Sequence, residues 1–127
     1  MSTPLVLGID IGTSGVRGAL LAPDGAVVGF ADAAMADHGA DRRDPAVWAR
    51  ALQSALAGLD PAARGRVGAV AVDGTSGTVL ALDAAAEPVG PALMYDDAVE
   101  DPAIPAAIAA AAPRESAAHG AASALAR

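Results

Sequence analysis

The first part of the chain alternates short apolar runs with polar turn residues. Runs at residues 4–10, 15–22 and 26–31 predict three β-strands, the first dominated by Val, Ile and Leu as in a buried strand. A Pro-Asp-Gly sequence at residues 23–25 has the backbone freedom of a tight hairpin turn. The pattern therefore predicts a three-stranded antiparallel meander.

The periodicity changes to that of a helix after a polar loop at residues 35–44. Asp44 before Pro45 is typical of a helix start, with the carboxylate as N-cap and proline in the first position. Gly58 and Pro61 mark the end. Between them, apolar residues recur at helical spacing: Val47, Trp48, Ala51, Leu52, Ala55, Leu56 and Leu59.

A fourth apolar run at residues 67–72 follows this helix. A strand reached through a helical crossover usually takes a parallel position, so the fold class predicted is α/β with a mixed sheet. Further short strands are predicted at residues 79–83 and 91–95. The Ala-rich segment from Pro102 onward favours helix.

Two of the predicted strands end in turns of the same chemistry, at residues 10–15 (DIGTSG) and 73–78 (DGTSGT). Glycines let a ligand approach the main chain, and hydroxyls with free N–H groups suit phosphate. A carboxylate at a strand end, such as Asp10, suits Mg²⁺, directly or through water. Ligands bind at the carboxyl ends of strands in open α/β sheets, so the two turns predict a shared polar cleft. The alternative for either turn alone is an ordinary structural turn.

The first turn differs from two common phosphate-binding motifs. A Walker A loop needs a Lys, and the chain has none. A dinucleotide-binding turn leads into a helix, whereas residues 16–22 predict a strand.

Composition narrows the classes of function. The 127 residues make one domain or part of one. A net charge of −7 argues against binding to nucleic acid or to an anionic membrane. The absence of Cys excludes a disulfide framework and a thiolate metal site. Neither a signal peptide nor a transmembrane helix is predicted, so we expect a cytoplasmic location.

Several segments of the chain resemble a known family. Residues 8–15 with Arg17 resemble the first phosphate-binding hairpin of the FGGY carbohydrate kinases, members of the superfamily that includes Hsp70 and actin. Residues 72–80 and 91–98 resemble the D-ribulose kinase branch, and less closely the xylulose kinases. The resemblance implies an RNase H-like half-domain. Residues 1–127 would form part of an amino-terminal kinase domain, without the rest of that domain or the second one.

The resemblance also implies roles for individual residues. Five would bind the ATP phosphates and Mg²⁺, with Asp10 holding the metal through water: Asp10, Gly12, Thr13, Ser14 and Gly15. Four would contact the substrate: Ser76, Gly77, Tyr95 and Asp97. The general base, an Asp, is expected beyond residue 127. No catalytic residue is therefore expected in this chain, and we expect it to be inactive alone.

The implied function is ATP- and Mg²⁺-dependent phosphorylation of a sugar or polyol, with a ketopentose such as D-ribulose as the leading substrate. Phosphoryl transfer depends mainly on positioning and charge neutralisation. A homodimer is a candidate assembly of the full-length form. One alternative is a non-catalytic, switch-type nucleotide-binding module of the actin and Hsp70 kind, against which the second turn argues. Another is an inactive truncated product with an exposed apolar edge.

Overall fold

The first of two compact units, residues 1–75, is built on a four-stranded mixed sheet. The computed structural model describes residues 3–116, with these strands: β1 (Leu5–Ile11), β2 (Gly15–Leu21), β3 (Val27–Ala34) and β4 (Val67–Gly74). Their order across the sheet is β3-β2-β1-β4. β2 is antiparallel to both β1 and β3, whereas β4 is parallel to β1. The predicted meander and parallel fourth strand are confirmed.

Helix α1 (Pro45–Ala57) makes the crossover from β3 to β4. The Asp44 carboxylate accepts a hydrogen bond from the Ala46 N–H at 2.8 Å, which is the predicted N-cap. The helix ends at Ala57, with Gly58 as its C-cap, where the end was predicted. A 3-10 turn (Met35–Asp37) precedes α1, and a single-turn helix, α2 (Pro61–Arg64), follows it.

Two side chains of α1 hold the loop that leads into it. The Trp48 indole Nε1 donates to the Arg42 carbonyl at 2.9 Å. The Arg50 guanidinium donates twice to the His38 carbonyl, from Nε at 3.0 Å and from Nη2 at 2.8 Å. The loop is therefore fixed to the helix by hydrogen bonds rather than by burial.

One face of the sheet packs against α1 and forms the core. Residues alternate between faces along each strand, so Leu5 and Leu7 are buried while Val6 between them is exposed. The buried residues of the unit fall into two clusters: Val16, Ala33, Met35, Val47, Ala51 and Ala55 in one, and Leu5, Leu7, Leu20 and Leu59 in the other. Small residues on α1 let the helix approach the sheet closely.

The opposite face of the sheet, called the open face below, carries no helix of this unit. Val6, Phe30 and Asp10 project from it, by alternation with the buried positions. Phe30 is 60% exposed. The open face is therefore accessible to a ligand or to another segment of protein.

Strands β3 and β4 extend beyond their predicted ends. β3 continues to Ala34, which pairs with Gly15, and β4 continues to Gly74, which pairs with Ile11. The start of the second predicted polar turn therefore belongs to a strand. These extensions come from pairing with a neighbour, which local composition does not reveal.

The second unit, described over residues 76–116, is mostly irregular. The strands predicted at residues 79–83 and 91–95 are reduced to two isolated bridges, Val79 with Leu93 and Leu82 with Pro88. Pro91, the first residue of the second predicted strand, has no N–H to donate, so a ladder cannot continue through it. Helix α3 (Ala103–Ala111) confirms the helical preference of the Ala-rich segment, and residues 117–127 lie outside the described part. Within residues 3–116, every helix is too short to cross a membrane.

We expect Leu20→Ala to lower the free energy of unfolding by about 3 kcal/mol, because the Leu20 side chain is fully buried and its truncation leaves a cavity. Val27→Ala is the control, since Val27 is 62% exposed, and should change it by about 0.5 kcal/mol or less. Urea unfolding followed by circular dichroism measures both. Equal effects would contradict the placement of the core.

We expect Gly15→Ala to open the β1–β2 turn, because a Cβ at Gly15 would lie 2.7 Å from the Ala33 carbonyl oxygen, closer than a carbon and an oxygen can come. Gly65→Ala is the matched control, with its nearest neighbour at 3.5 Å and a helical φ of −62°. Thermal unfolding should show a loss of several degrees for Gly15→Ala alone. A Gly15→Ala variant as stable as Gly65→Ala would refute the close approach.

Candidate functional site

The turn between β1 and β2 presents unused hydrogen-bond donors. The Gly12 N–H donates to the Gly15 carbonyl at 3.0 Å, and the Ser14 carbonyl accepts from the Met35 N–H at 2.9 Å. Among residues 3–116, the main-chain N–H and hydroxyl groups of Thr13 and Ser14 have no hydrogen-bond partner. Two successive free N–H groups and two hydroxyls are donors that suit an anion.

The five residues predicted to bind phosphate and metal therefore divide by role. Gly12 and Gly15 close the turn, and both sit where a Cβ would be crowded, at 3.3 Å from the Gly15 oxygen and 2.7 Å from the Ala33 oxygen, respectively. Thr13 and Ser14 carry the free donors. Asp10 lies on β1, just before the turn.

Four charged side chains form a row across the open face, one on each strand. In strand register, Asp32 on β3 is paired with Arg17, Arg17 with Asp10, and Asp10 with Asp73 on β4. Residues in register project from the same face, so the four lie side by side. This charged row contains three carboxylates and one guanidinium, an excess of two negative charges.

Within the charged row, Arg17 pairs with Asp10. The Arg17 Nη1 donates to the Asp10 Oδ2 at 3.1 Å, and the two side chains are 48% and 49% exposed, respectively. Asp73 uses one carboxylate oxygen to accept from the Gly74 N–H at 2.8 Å. An ion pair this exposed contributes little to stability and can rearrange when a ligand arrives.

Two β-bulges set the register of the charged row. Leu5 pairs with Val67 but Val6 pairs with Ala69, so Gly68 is an extra residue in β4. Without that bulge, Asp10 would be paired with Val72 instead of Asp73. An equivalent shift between Leu20 and Leu21 makes Val28 the extra residue of β3, and it brings Asp32 opposite Arg17.

A shallow, open groove of about 390 Å³ runs along the open face beside the charged row. It is lined by Gly8, Ile9, Asp10, Arg17, Ala19, Phe30, Ala71, Val72 and Asp73. Small residues form much of this lining, which lets a ligand approach the strands closely. The groove therefore combines an apolar floor with a charged end.

Sequence reasoning did not assign a binding role to Arg17 or Asp73. Arg17 lies two residues after Gly15, at an alternate position of β2 that shares the face of Asp10. Asp73 ends an apolar run, as Asp10 does. The signal for Asp73 was that it follows an apolar run, as Asp10 does. The sequence does not show the bulge in β4 that places these two carboxylates in register.

The four predicted substrate-contacting residues lie in the second unit. Gly77 has φ of +78°, a conformation that favours glycine. The Asp97 Oδ2 accepts from the Met94 N–H at 2.8 Å, and the Asp97 N–H donates to the Met94 carbonyl at 3.0 Å. This turn carries Tyr95, which is 41% exposed, whereas Ser76 begins the unit. Asp97 therefore has a structural role in shaping the turn.

Asp10 and Asp73 are the two carboxylates of the candidate site that could hold a metal ion. Within the described residues, no three His, Asp or Glu side chains converge as a metal-binding group. Mg²⁺ in phosphoryl-transfer sites usually takes one or two carboxylates and fills its other positions with phosphate oxygens and water. The side-by-side pair of carboxylates fits that pattern.

The known proteins that this chain is similar to are sugar kinases. No family model matches the sequence. The chain is 37% identical over 97 residues to a xylulose kinase of Streptomyces coelicolor, an alignment that covers 74% of this chain and 20% of that protein. The chain thus spans about a fifth of the length of this relative.

Solved structures with the same fold are also sugar kinases. A xylulose kinase from Brucella ovis matches with a TM-score of 0.63 at 26% identity, over 73% of this chain and 21% of that one. A xylulose kinase from Bifidobacterium adolescentis matches with a TM-score of 0.65 at 24% identity, over 86% and 22%. A gluconate kinase from Lactobacillus acidophilus matches with a TM-score of 0.58 at 17% identity, over 74% and 20%. The last two show the fold alone.

These likenesses confirm the α/β fold class as that of the sugar kinases of the actin, Hsp70 and RNase H-like superfamily. They support the xylulose-kinase resemblance, while the D-ribulose branch stays a prediction. By sequence and fold together, the aligned part of the chain is related to sugar kinases of the FGGY type.

Proposed function

We propose that this chain supplies the phosphate-binding part, and a portion of the sugar-binding part, of an ATP-dependent kinase that phosphorylates a sugar or polyol hydroxyl. One observation carries the proposal. The free N–H and hydroxyl groups of Thr13 and Ser14 lie next along the chain to the strands that bear the charged row. The likeness to a xylulose kinase of Streptomyces coelicolor supports it.

The phosphates of ATP would lie on the β1–β2 turn. The two free N–H groups are fixed by the Gly12–Gly15 bond, so they need little reorganisation to bind an anion. Arg17 is already on that face and is half exposed, and a phosphate offers its guanidinium a strong charge-assisted partner. Asp10 then loses its cationic neighbour.

Mg²⁺ would balance the charges left on the row. Three carboxylates and one guanidinium leave an excess of two negative charges, which a divalent cation matches. Asp10 would hold the ion through water, with Asp73 beside it and phosphate oxygens completing its coordination. When bound, the ion neutralises charge on the transferring phosphoryl group.

The sugar would contact Ser76, Gly77, Tyr95 and Asp97. The small side chains of the Ser76-Gly77 pair leave room for an extended ketose, and the exposed Tyr95 ring offers a wall. D-Ribulose is the substrate that the second turn favours, and xylulose is the sugar in the name of the Streptomyces relative. Both are ketopentoses, so we propose a ketopentose as substrate.

The chain is proposed to act as part of an amino-terminal kinase domain in the cytoplasm, and the full-length form is a candidate homodimer. The carboxylate that takes the proton from the sugar hydroxyl would come from elsewhere in such a kinase. The second candidate is a switch-type nucleotide-binding module. It would use the same phosphate turn, which lies wholly in the first unit, and would not need the second turn.

We expect the 127-residue chain to bind Mg²⁺ and ADP through the β1–β2 turn. In ¹⁵N-edited spectra, titration should shift the Thr13 and Ser14 amide resonances first. Arg17→Gln should weaken binding about tenfold, because it removes one charge-assisted hydrogen bond to phosphate. Arg64→Gln, on α2, is the matched control and should leave the affinity unchanged. Shifts confined to other residues, or equal affinities for the two variants, would refute the phosphate site.

We expect phosphorylation of a ketopentose by a chimera in which this chain replaces the aligned segment of the Streptomyces coelicolor xylulose kinase. ADP release is measured with D-ribulose, D-xylulose, L-ribulose and glycerol, and the 127-residue chain alone should be silent. Asp10→Asn should lower kcat of the chimera about a hundredfold or more, since it weakens the metal contact. ATP hydrolysis that is equal with every sugar would favour the switch-type module.

A further inference from the structure

The Asp73 carboxylate lies against the main-chain nitrogen of the residue that follows it. Its Oδ1 accepts a hydrogen bond from the Gly74 N–H at 2.8 Å. The carboxyl carbon is bonded to this oxygen, so it lies at most one bond length further from the nitrogen. Two groups that can react with each other are therefore held close together, and such proximity strongly accelerates a reaction within one molecule.

The Gly74 N–H points away from the rest of the sheet. In a parallel pair, successive residues of a strand direct their N–H groups to opposite sides. The Thr75 N–H donates to the Ile11 carbonyl of β1 at 3.1 Å, so the preceding N–H, that of Gly74, faces the other side. Within residues 3–116, no strand lies on that side of β4. The pairing of β1 with β4 therefore leaves the Gly74 nitrogen to the Asp73 carboxylate.

The Asp73-Gly74 pair is also open to solvent. Both residues are exposed, so water reaches them. Glycine has no side chain to shield its nitrogen, and it allows the backbone more freedom than any other residue does. The pair forms the last two residues of β4, so a rotation of the backbone there disturbs only the end of the strand.

The chain contains a second Asp-Gly pair, Asp24-Gly25 in the turn between β2 and β3, with different contacts. The Gly25 N–H donates to the Ala22 carbonyl at 2.9 Å. The Asp24 Oδ1 accepts from the Ala26 N–H, two residues along the chain, at 3.0 Å. The nitrogen and the carboxylate of this pair are therefore each engaged with another group. The same dipeptide lacks the contact seen at Asp73.

We propose that Asp73 is a site of spontaneous isomerisation to isoaspartate. The Gly74 nitrogen bonds to the Asp73 Cγ, and one carboxyl oxygen leaves as water with the amide proton and one proton from the solvent. Water then opens the resulting succinimide ring. Addition at Cγ restores aspartate. Addition at the main-chain carbonyl carbon breaks its bond to nitrogen, so Gly74 stays attached through Cγ and the main chain gains one methylene.

Isomerisation would alter the end of the sheet that carries the charged row. The extra methylene displaces the main chain after Asp73, so the Thr75 N–H would lose the Ile11 carbonyl. The free carboxylate would be attached directly to Cα, and it would leave its place beside Asp10. The inference does not depend on the proposed function, but the modification would remove one of the two carboxylates that the proposed function assigns to Mg²⁺.

The test ages the folded 127-residue chain at physiological temperature and near-neutral pH in water enriched in ¹⁸O. Each ring that water opens takes up one heavy oxygen, whether it ends as aspartate or as isoaspartate. Trypsin, used afterwards in ordinary water, cleaves after arginine and places the two Asp-Gly pairs in separate peptides, residues 18–42 and 67–114. Mass spectrometry measures the ¹⁸O in each peptide, and electron-transfer fragmentation distinguishes isoaspartate from aspartate.

We expect the reaction in the folded chain to be at least about fivefold faster at Asp73 than at Asp24, because only Asp73 has its carboxylate against the next nitrogen. In the chain unfolded in urea, the two rates should agree within about twofold, because these contacts are lost. Gly74→Ala should slow the reaction at Asp73 about tenfold, because the methyl group shields the nitrogen.

Gly74→Ala should leave the fold intact, since the nearest atom to a Cβ there is the Ile11 oxygen at 3.5 Å. Gly65→Ala is the matched control, because a Cβ at Gly65 also has its nearest neighbour at 3.5 Å. It should leave the rates at both Asp-Gly pairs unchanged.

Three results would overturn the proposal. The first is a rate at Asp73 in the folded chain that is equal to or below the rate at Asp24. The second is a ratio of the two rates that is the same in urea, because the fold would then have no part in it. The third is a Gly74→Ala variant that keeps the circular dichroism spectrum of the parent chain and reacts at Asp73 just as fast.

Discussion

The parallel pairing of β1 with β4 determines where helix α1 and the residues of the candidate site lie. It joins the beginning of the chain to a strand more than fifty residues later and requires α1 to cross the sheet between them. A parallel pair cannot be closed by a tight turn, so the crossover helix is a condition of the pairing. The same pairing brings Asp10 and Asp73 to one end of the sheet, where the candidate site lies.

Local chemistry was enough to predict the strands and the crossover helix of the first unit, but not the register in which the strands pair. The Asp44–Pro45 start of α1 and the Asp-Gly turn before β3 are decided by neighbouring residues, so the sequence shows them directly. The charged row depends on bulges at Gly68 and Val28, each worth one residue of register. A one-residue slip turns every later side chain to the other face, and nothing in the local pattern marks where such a slip occurs.

The candidate site shows the same division between composition and geometry. The sequence indicated a phosphate turn because Gly, Thr and Ser follow a strand-terminal Asp, and the structure separates the closing residues from those with free donors. The sequence shows Arg17 only as part of a motif. Its position between Asp10 and Asp32 on one face of the sheet depends on strand register, which the sequence does not show. In the second unit, the strands predicted from apolar residues are reduced to isolated bridges, and Pro91, the first residue of the second predicted strand, has no N–H to donate to a ladder.

The charged row places two like charges side by side on the sheet. Asp10 and Asp73 are like charges directly in register, an arrangement that destabilises a sheet, and the single guanidinium compensates only one of them. Solvent screens the repulsion between these exposed carboxylates, so the charged row destabilises the sheet only slightly on the open face. In the core the same repulsion would be much larger. A divalent cation would remove the repulsion, and the phosphate bound with it would give Arg17 a stronger, charge-assisted partner. The like charges that weaken the sheet are therefore the ones that would favour the proposed cation, as expected where a sequence departs from its own stability rules at a proposed functional site.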